Sequence, residues 1–266
     1  MALTAGAGQY PAVRVKVISD LHGAVDHIPE AAADCDRLIV LGDLINILDY
    51  RTMDGILVDI FGREPVAQAA SLRAQGKFQE ARSTIRESMP EGIDLRGRIA
   101  ELAAEQYRAV FDALPDGTIV TFGNVDIPDV LRPLLPETIS FVETGTFELA
   151  GLRWGIVGGG VRTPLGIPGE VGDEEHQARF DALGPVDVVG THMPPRVPWF
   201  CYDTVARKFE PGSTALIGYI LEHRPRFSLF GHVHQPLASQ GLLGHTQCVN
   251  VGHFQADGRG WTYEGS

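Results

Sequence analysis

Five short strand-like runs in this chain each end, within three residues, in an aspartate, asparagine or histidine. Val13 to Ser19 runs into Asp20-Leu21-His22, Arg37 to Leu41 into Gly42-Asp43, and Thr118 to Phe122 into Gly123-Asn124. Val186 to Val189 runs into Gly190-Thr191-His192, and Arg226 to Phe230 into Gly231-His232-Val233-His234. Such runs alternate with longer helical patterns, which reads as an α/β fold. In α/β sheets, sites form where the carboxyl ends of the strands converge. Seven side chains could then meet: Asp20, His22, Asp43, Asn124, His192, His232 and His234.

The donor chemistry points to cations. In Asp20-x-His22 and His232-x-His234, residues two apart on an extended segment point the same way, so each pair can face one site. Gly42, Gly123 and Gly231 directly follow strands and permit sharp turns. Carboxylates and imidazoles without thiolates suit Mn, Fe, Zn, Co or Ni rather than an iron–sulfur cluster. Seven donors exceed one tetrahedral zinc and suit two divalent metal ions sharing a carboxylate. Asp43 is the best bridging candidate, because one Asp can offer an oxygen to each ion.

The 266 residues fit one large domain, residues 1–266, with 44% hydrophobic and 21% charged residues. A net charge of -12 argues against nucleic acid or an anionic membrane as partner. A small phosphorylated substrate stays open, because bound cations invert the local field. Cys35, Cys201 and Cys248 form no C-x-x-C pair, which suits a reducing compartment. Residues 1–10 lack a basic start with an apolar core, and no apolar run nears the roughly 20 residues that span a bilayer. The expectation is a cytoplasmic protein, with a homo-oligomer left open.

Further strands are expected over Leu152 to Val157 and Thr246 to Val251. Phe141 to Leu149 reads as a strand pair turning at Glu143, Thr144 and Gly145. Between Arg51 and Leu114 the apolar spacing predicts two amphipathic helices, separated at Pro90 and Gly92. The second carries Ile99, Leu102, Ala103, Tyr107, Val110 and Phe111 and should pack on the sheet. The first, within an insertion spanning approximately 51–92, is either a plain helical element or a cover or dimer surface. Gly158-Gly159-Gly160 misses nucleotide-loop spacing and reads as a tight turn near the site, with Arg162 beyond it at the surface. Pro194 and Pro195 with Trp199, Phe200 and Tyr202 form a pocket wall or a packed loop. His27, His176, His223 and His245 read as structural or solvent-facing.

In their order, D-x-H, G-D, G-N, H and G-H-x-H, these motifs resemble the calcineurin-like metallophosphoesterases. The likeness runs from Asp20 to His234. The G-N-x-D-x-P run from Gly123 and the Thr191-His192-Met193-Pro194-Pro195 run are similar to bacterial and archaeal phosphoesterases. The resemblance implies a two-sheet β-sandwich flanked by helices. It implies one ion on Asp20, His22, Asp43 and His234, and another on Asp43, Asn124, His192 and His232. Two departures stand out. Val125 occupies the place where many members carry histidine, and a helical stretch lengthens the gap between Asp43 and Asn124.

The activity implied is hydrolysis of a phosphomonoester or phosphodiester by a metal-bridging hydroxide. The proton for the leaving group would come from Asp126, from His253, or from no side chain at all. The alternative is a non-catalytic metal-binding scaffold of the same fold.

Overall fold

A computed structural model describes residues 12–163 and 167–265. The opening stretch read for a leader lies outside the described residues.

Two sheets form the centre. The first has five strands, in the order Trp261–Gly265, Val13–Ile18, Arg37–Val40, Ile119–Val120 and Ser140–Phe141. The first pair is antiparallel and the remaining pairs are parallel. The second has six strands, in the order Gln240–Leu243, Thr246–Asn250, Phe227–Phe230, Val188–Thr191, Leu152–Val157 and Thr144–Leu149. Its inner pairs are parallel and each edge is closed by an antiparallel hairpin.

Period-two alternation assigns the layers. Val15, Val17, Ile39 and Leu41 point between the sheets, against Trp154, Ile156, Val188, Leu229 and Val249. Their neighbours Ile18, Leu38, Val40 and Val120 face the other way, onto Leu102, Tyr107 and Val110 of the helix Leu95–Ala113. On the second sheet, Val157, Val189, Phe230 and Cys248 meet the helices Asp173–Asp181 and Thr214–His223 through Phe180, Leu216, Tyr219 and Ile220. The fold is therefore α/β, a two-sheet β-sandwich covered by helices on both outer faces. Strands buried on both faces read as unbroken apolar runs, which is why they stand out in the sequence.

The helix Leu95–Ala113 starts where Asp94 caps it, its carboxylate accepting from Gly97 N–H at 3.1 Å. It ends one residue short of Leu114, which precedes Pro115 and is extended with ψ 137. The single helix expected before it is instead three: Ile56–Phe61, Arg63–Ala74 and Phe78–Glu87. Gly62 at φ 82 and Gly76 at φ 77 break it, conformations that a continuing helix of L-residues does not adopt. Phe78, the first residue of the third of these helices, is 60% exposed.

The strand pair expected in Phe141 to Leu149 also needs correction. Ser140–Phe141 belongs to the first sheet and Thr144–Leu149 to the second. The chain crosses between sheets at Val142 and Glu143, and Thr144 and Gly145 lie in the strand. The edge strands Trp261–Gly265 and Gln240–Leu243 were not anticipated. No helix among the described residues is long and apolar enough to cross a membrane.

His176 illustrates how the outer helices are fixed. It is buried in Asp173–Asp181, with its ring edge on Phe180 at 5.1 Å and Nε2 3.0 Å from Ser213 Oγ. Burial, with Arg179 adding to it, pushes its pKa down to about 4. The native state thus binds fewer protons than the unfolded chain, so the associated stability is present above about pH 6.5 and is lost as pH falls toward 4. The loss should reach about 3 kcal/mol. His176→Gln should be less acid-sensitive by about 2 kcal/mol, measured by urea denaturation between pH ~7 and pH ~4.5.

Candidate metal centre

The five strand ends do converge. The Asp20–His22 turn lies on the Gly42–Leu44 turn: Asp20 N–H donates to Gly42 O at 3.1 Å and His22 N–H to Asp43 O at 2.9 Å. On the second sheet Gly231 N–H donates to His192 O at 3.0 Å, and across the sandwich His232 N–H donates to Asp20 Oδ2 at 3.0 Å. The approach is so close that a Cβ at Gly42 would sit 2.3 Å from Gly123 N, and one at Gly123 would sit 2.1 Å from Asp43 Oδ1. Asp20, His22, Asp43 and His232 all hold positive φ, between 44 and 68. Non-glycine residues take that region at a cost, and such strain clusters at functional sites.

All seven residues singled out from the sequence meet here. His22 Nε2 and His234 Nε2 lie 3.1 Å apart, and His234 Nε2 is 3.4 Å from Asp20 Oδ1. His192 Nε2 is 3.0 Å from Asn124 Oδ1 and 3.2 Å from Asp43 Oδ2. The same Asp43 oxygen is 3.9 Å from His22 Nε2. Donor atoms of Asp20, His22 and Asp43 gather as one group and those of Asp43, His192 and His232 as another, each within 4.8 Å. Asp43 is common to both. Asn124 caps no helix; the next one, Pro128–Leu131, begins after Ile127.

Electrostatics show what the cluster lacks. Burial opposes charge on His192, yet Asp43, Asp20 and Asp126 outweigh it and raise its pKa to about 9. Burial likewise opposes charge on His234, and Asp20 overcomes it. His22 and His232 are lowered, both by burial first, His232 to about 4. Two buried carboxylates thus demand positive charge that the imidazoles meet partly by holding protons. Cations would meet it by displacing them.

The residues fit metal ions. Ligands about 2.1 Å from a common ion lie roughly 3.0–3.4 Å apart, as several of these donors do. His192 Nδ1 is 3.1 Å from Leu41 O and His22 Nδ1 is 3.4 Å from Ile45 O. Donation to a backbone carbonyl fixes the tautomer and leaves Nε2 as the ligand atom. His232 Nε2 is buried with no hydrogen-bond partner, an orphan that an ion would satisfy.

The two proton-donor candidates behave differently from expectation. Asp126 is fully buried; Oδ1 accepts from Leu44 N–H at 3.0 Å and Tyr107 O–H at 3.1 Å, and Oδ2 from Gly123 N–H at 2.7 Å. It ties the Asp43 turn to the Asn124 turn beneath the site, so it positions ligands and faces no substrate. His253 does reach the cluster, its ring stacked on His234 at 3.7 Å and 12°. Its Nδ1 lies 3.4 Å from Arg51 Nη2 and its Nε2 3.1 Å from Gln255 Oε1. A guanidinium can only donate, so Nδ1 is the bare nitrogen and the proton sits on Nε2, turned to Gln255. Sequence reasoning missed Arg51, and also Tyr107 as the partner of Asp126.

The triple glycine packs beside the site as expected: a Cβ at Gly160 would meet Asn124 Cβ at 2.4 Å. Arg162 is exposed and, with His176, Arg196, Cys201 and Glu210, lines an open cleft of about 1060 Å³ that holds none of the seven residues. Phe200 is core, while Trp199 is 40% exposed.

Comparison with known proteins agrees with the fold. One crystal structure superposes with TM-score 0.59 at 19% identity, covering 95% of both chains. The crystal structure of TT1561 from Thermus thermophilus gives TM-score 0.48 at 14% identity, over 92% of this chain and 91% of its own. An archaeal phosphodiesterase gives 0.38 at 13%, over 92% and 88%. No family model matches the chain, and neither does any curated protein.

Asp126→Asn should separate positioning from chemistry. An amide presents N–H to at least one of three donors, so stability should fall by about 1–3 kcal/mol, with weaker retention of added Mn²⁺. Tyr107→Phe should fall by about 1 kcal/mol. Denaturation curves and cation titration check both.

Proposed function

We propose that this chain is a phosphoester hydrolase working with two divalent metal ions on a small phosphorylated substrate. The supporting observation is the shared Asp43: one buried carboxylate belongs to two donor groups, with Asp20 and His22 on one side and His192 and His232 on the other. Asp20, His22, Asp43 and His234 would hold one ion; Asp43, Asn124, His192 and His232 the other. When bound, such ions acidify water and neutralise charge developing on a phosphoryl group.

The chain's own residues set the geometry. Val125 N–H donates to Asp43 Oδ1 at 3.0 Å, leaving Oδ2 toward the imidazoles. Leu41 O and Ile45 O aim His192 and His22. His234 is the most open of the candidate ligands with ion-pair partners, its side chain 32% exposed against 12% for His22 and 0% for His192. Substrate therefore approaches from the His234 side. Val125 carries no titratable group and Asp126 is enclosed, so the leaving oxygen takes its proton from solvent or departs without one. A calcineurin-like family relationship and a cytoplasmic setting belong to the same reading, the latter in keeping with three free cysteines.

Metal-loaded protein should hydrolyse p-nitrophenyl phosphate or its bis ester. Chelation should abolish turnover and Mn²⁺, Co²⁺ or Ni²⁺ restore it. Asp43→Ala should lose at least ~100-fold in rate. Full turnover by Asp43→Ala would remove the two-ion reading. A wild type that binds cations yet cleaves neither ester would instead be a scaffold.

A further inference from the structure

One cationic side chain is built into the rim of this site. Arg51 lies in the turn between Asp49 and Asp54, which pair as a short antiparallel bridge. Asp49 Oδ1 accepts from Arg51 N–H at 2.7 Å, and Arg63 Nη1 donates to Thr52 O at 3.0 Å. The turn is thus pinned to the helix Arg63–Ala74. Arg51 Nη2 donates to His253 Nδ1 at 3.4 Å, and His253 in turn lies flat on His234. The guanidinium therefore sits one ring away from a proposed metal ligand.

A guanidinium has five N–H donors. Here one goes to His253, and Nε lies 3.8 Å from Asp49 Oδ1, beyond hydrogen-bond distance. The side chain remains 46% exposed. Its planar fork is suited to two oxygens of one phosphate.

We propose that Arg51 binds the non-bridging oxygens of the substrate's phosphoryl group and selects monoester dianions over diesters, with His253 as its positioning residue. The inference rests on the hydrolase reading above. A monoester offers one more anionic oxygen than a diester, so a cation added beside the ions favours it. His253 contributes by accepting from the guanidinium while its stack on His234 fixes the acceptor in place. The turn after Asp43 thereby supplies a substrate contact, and the helix Arg63–Ala74 supports it.

The test uses full-length, Mn²⁺-loaded wild type, Arg51→Ala, Arg51→Lys and His253→Phe. Inorganic phosphate binding is measured by calorimetry, metal content by elemental analysis, and kcat and KM on p-nitrophenyl phosphate and its bis ester. Arg51→Ala should weaken phosphate binding by roughly 10–100-fold and raise the monoester KM in proportion, with a smaller change for the diester and unchanged metal content. Arg51→Lys should recover part of the loss. His253→Phe, which keeps a ring on His234 but removes the acceptor, should fall in between. Phosphate binding in Arg51→Ala within about twofold of wild type, or absent from wild type itself, would overturn the proposal, as would loss of metal from Arg51→Ala. If wild type binds phosphate but cleaves neither ester, the hydrolase reading fails while calorimetry still decides the role of Arg51.

Discussion

A buried carboxylate with imidazoles on two sides is the contact on which this structure turns. Asp43 is 3% exposed, and a charge so placed is expensive unless paired and hydrogen-bonded. Val125 N–H occupies one oxygen and His192 approaches the other. Below, Asp126 is a second buried carboxylate, raised to about 6 by burial and then by Asp43 itself. Two acids packed into one junction, with Asp20 beside them, create a local need for cations that the rest of the site is shaped to meet.

Holding that junction requires unusual backbone. Four of the converging residues sit at positive φ, each costing on the order of 1–3 kcal/mol. The sandwich resists relaxation because the turns bond to one another across both sheets, not merely to their own strands. Asp20 illustrates this: its N–H is held by Gly42, its carboxylate by His232 N–H, and its carbonyl by Gln255 N–H at 3.0 Å. Moving it would disturb turns from four strand ends at once. The layered core, apolar between the sheets and again under each helical face, supplies the rigidity that keeps the strain in place.

What the sequence revealed follows from range. Strands buried on both faces announce themselves as apolar runs, and a residue closing a strand can be read from its neighbours. The seven donors were therefore legible. The crossing at Val142 and Glu143 was not, because the residues before and after it have similar strand character whichever sheet they enter. The break at Gly76 was hidden for a different reason: one glycine inside a helical pattern is tolerable, and only its φ shows that the chain turns. Asp126 looked available because its nearest sequence partner was Asn124, whereas its fate was decided by Leu44 and Tyr107. Arg51 was invisible for the same reason, its partner His253 lying at the far end of the chain.

Position 125 shows how such long-range constraints separate backbone from side-chain roles. The hydrogen bond that fixes Asp43 comes from the Val125 amide, which any residue other than proline would supply. The site's electrostatic centre is thus insensitive to what the side chain is. The valine there leaves the contact to Asp43 intact and offers no proton of its own. Among the described residues, Asp126 is enclosed and the His253 proton is turned to Gln255. The contact that holds Asp43 and the supply of a proton are consequently matters for different groups, because the amide that fixes Asp43 places no demand on the side chain at position 125.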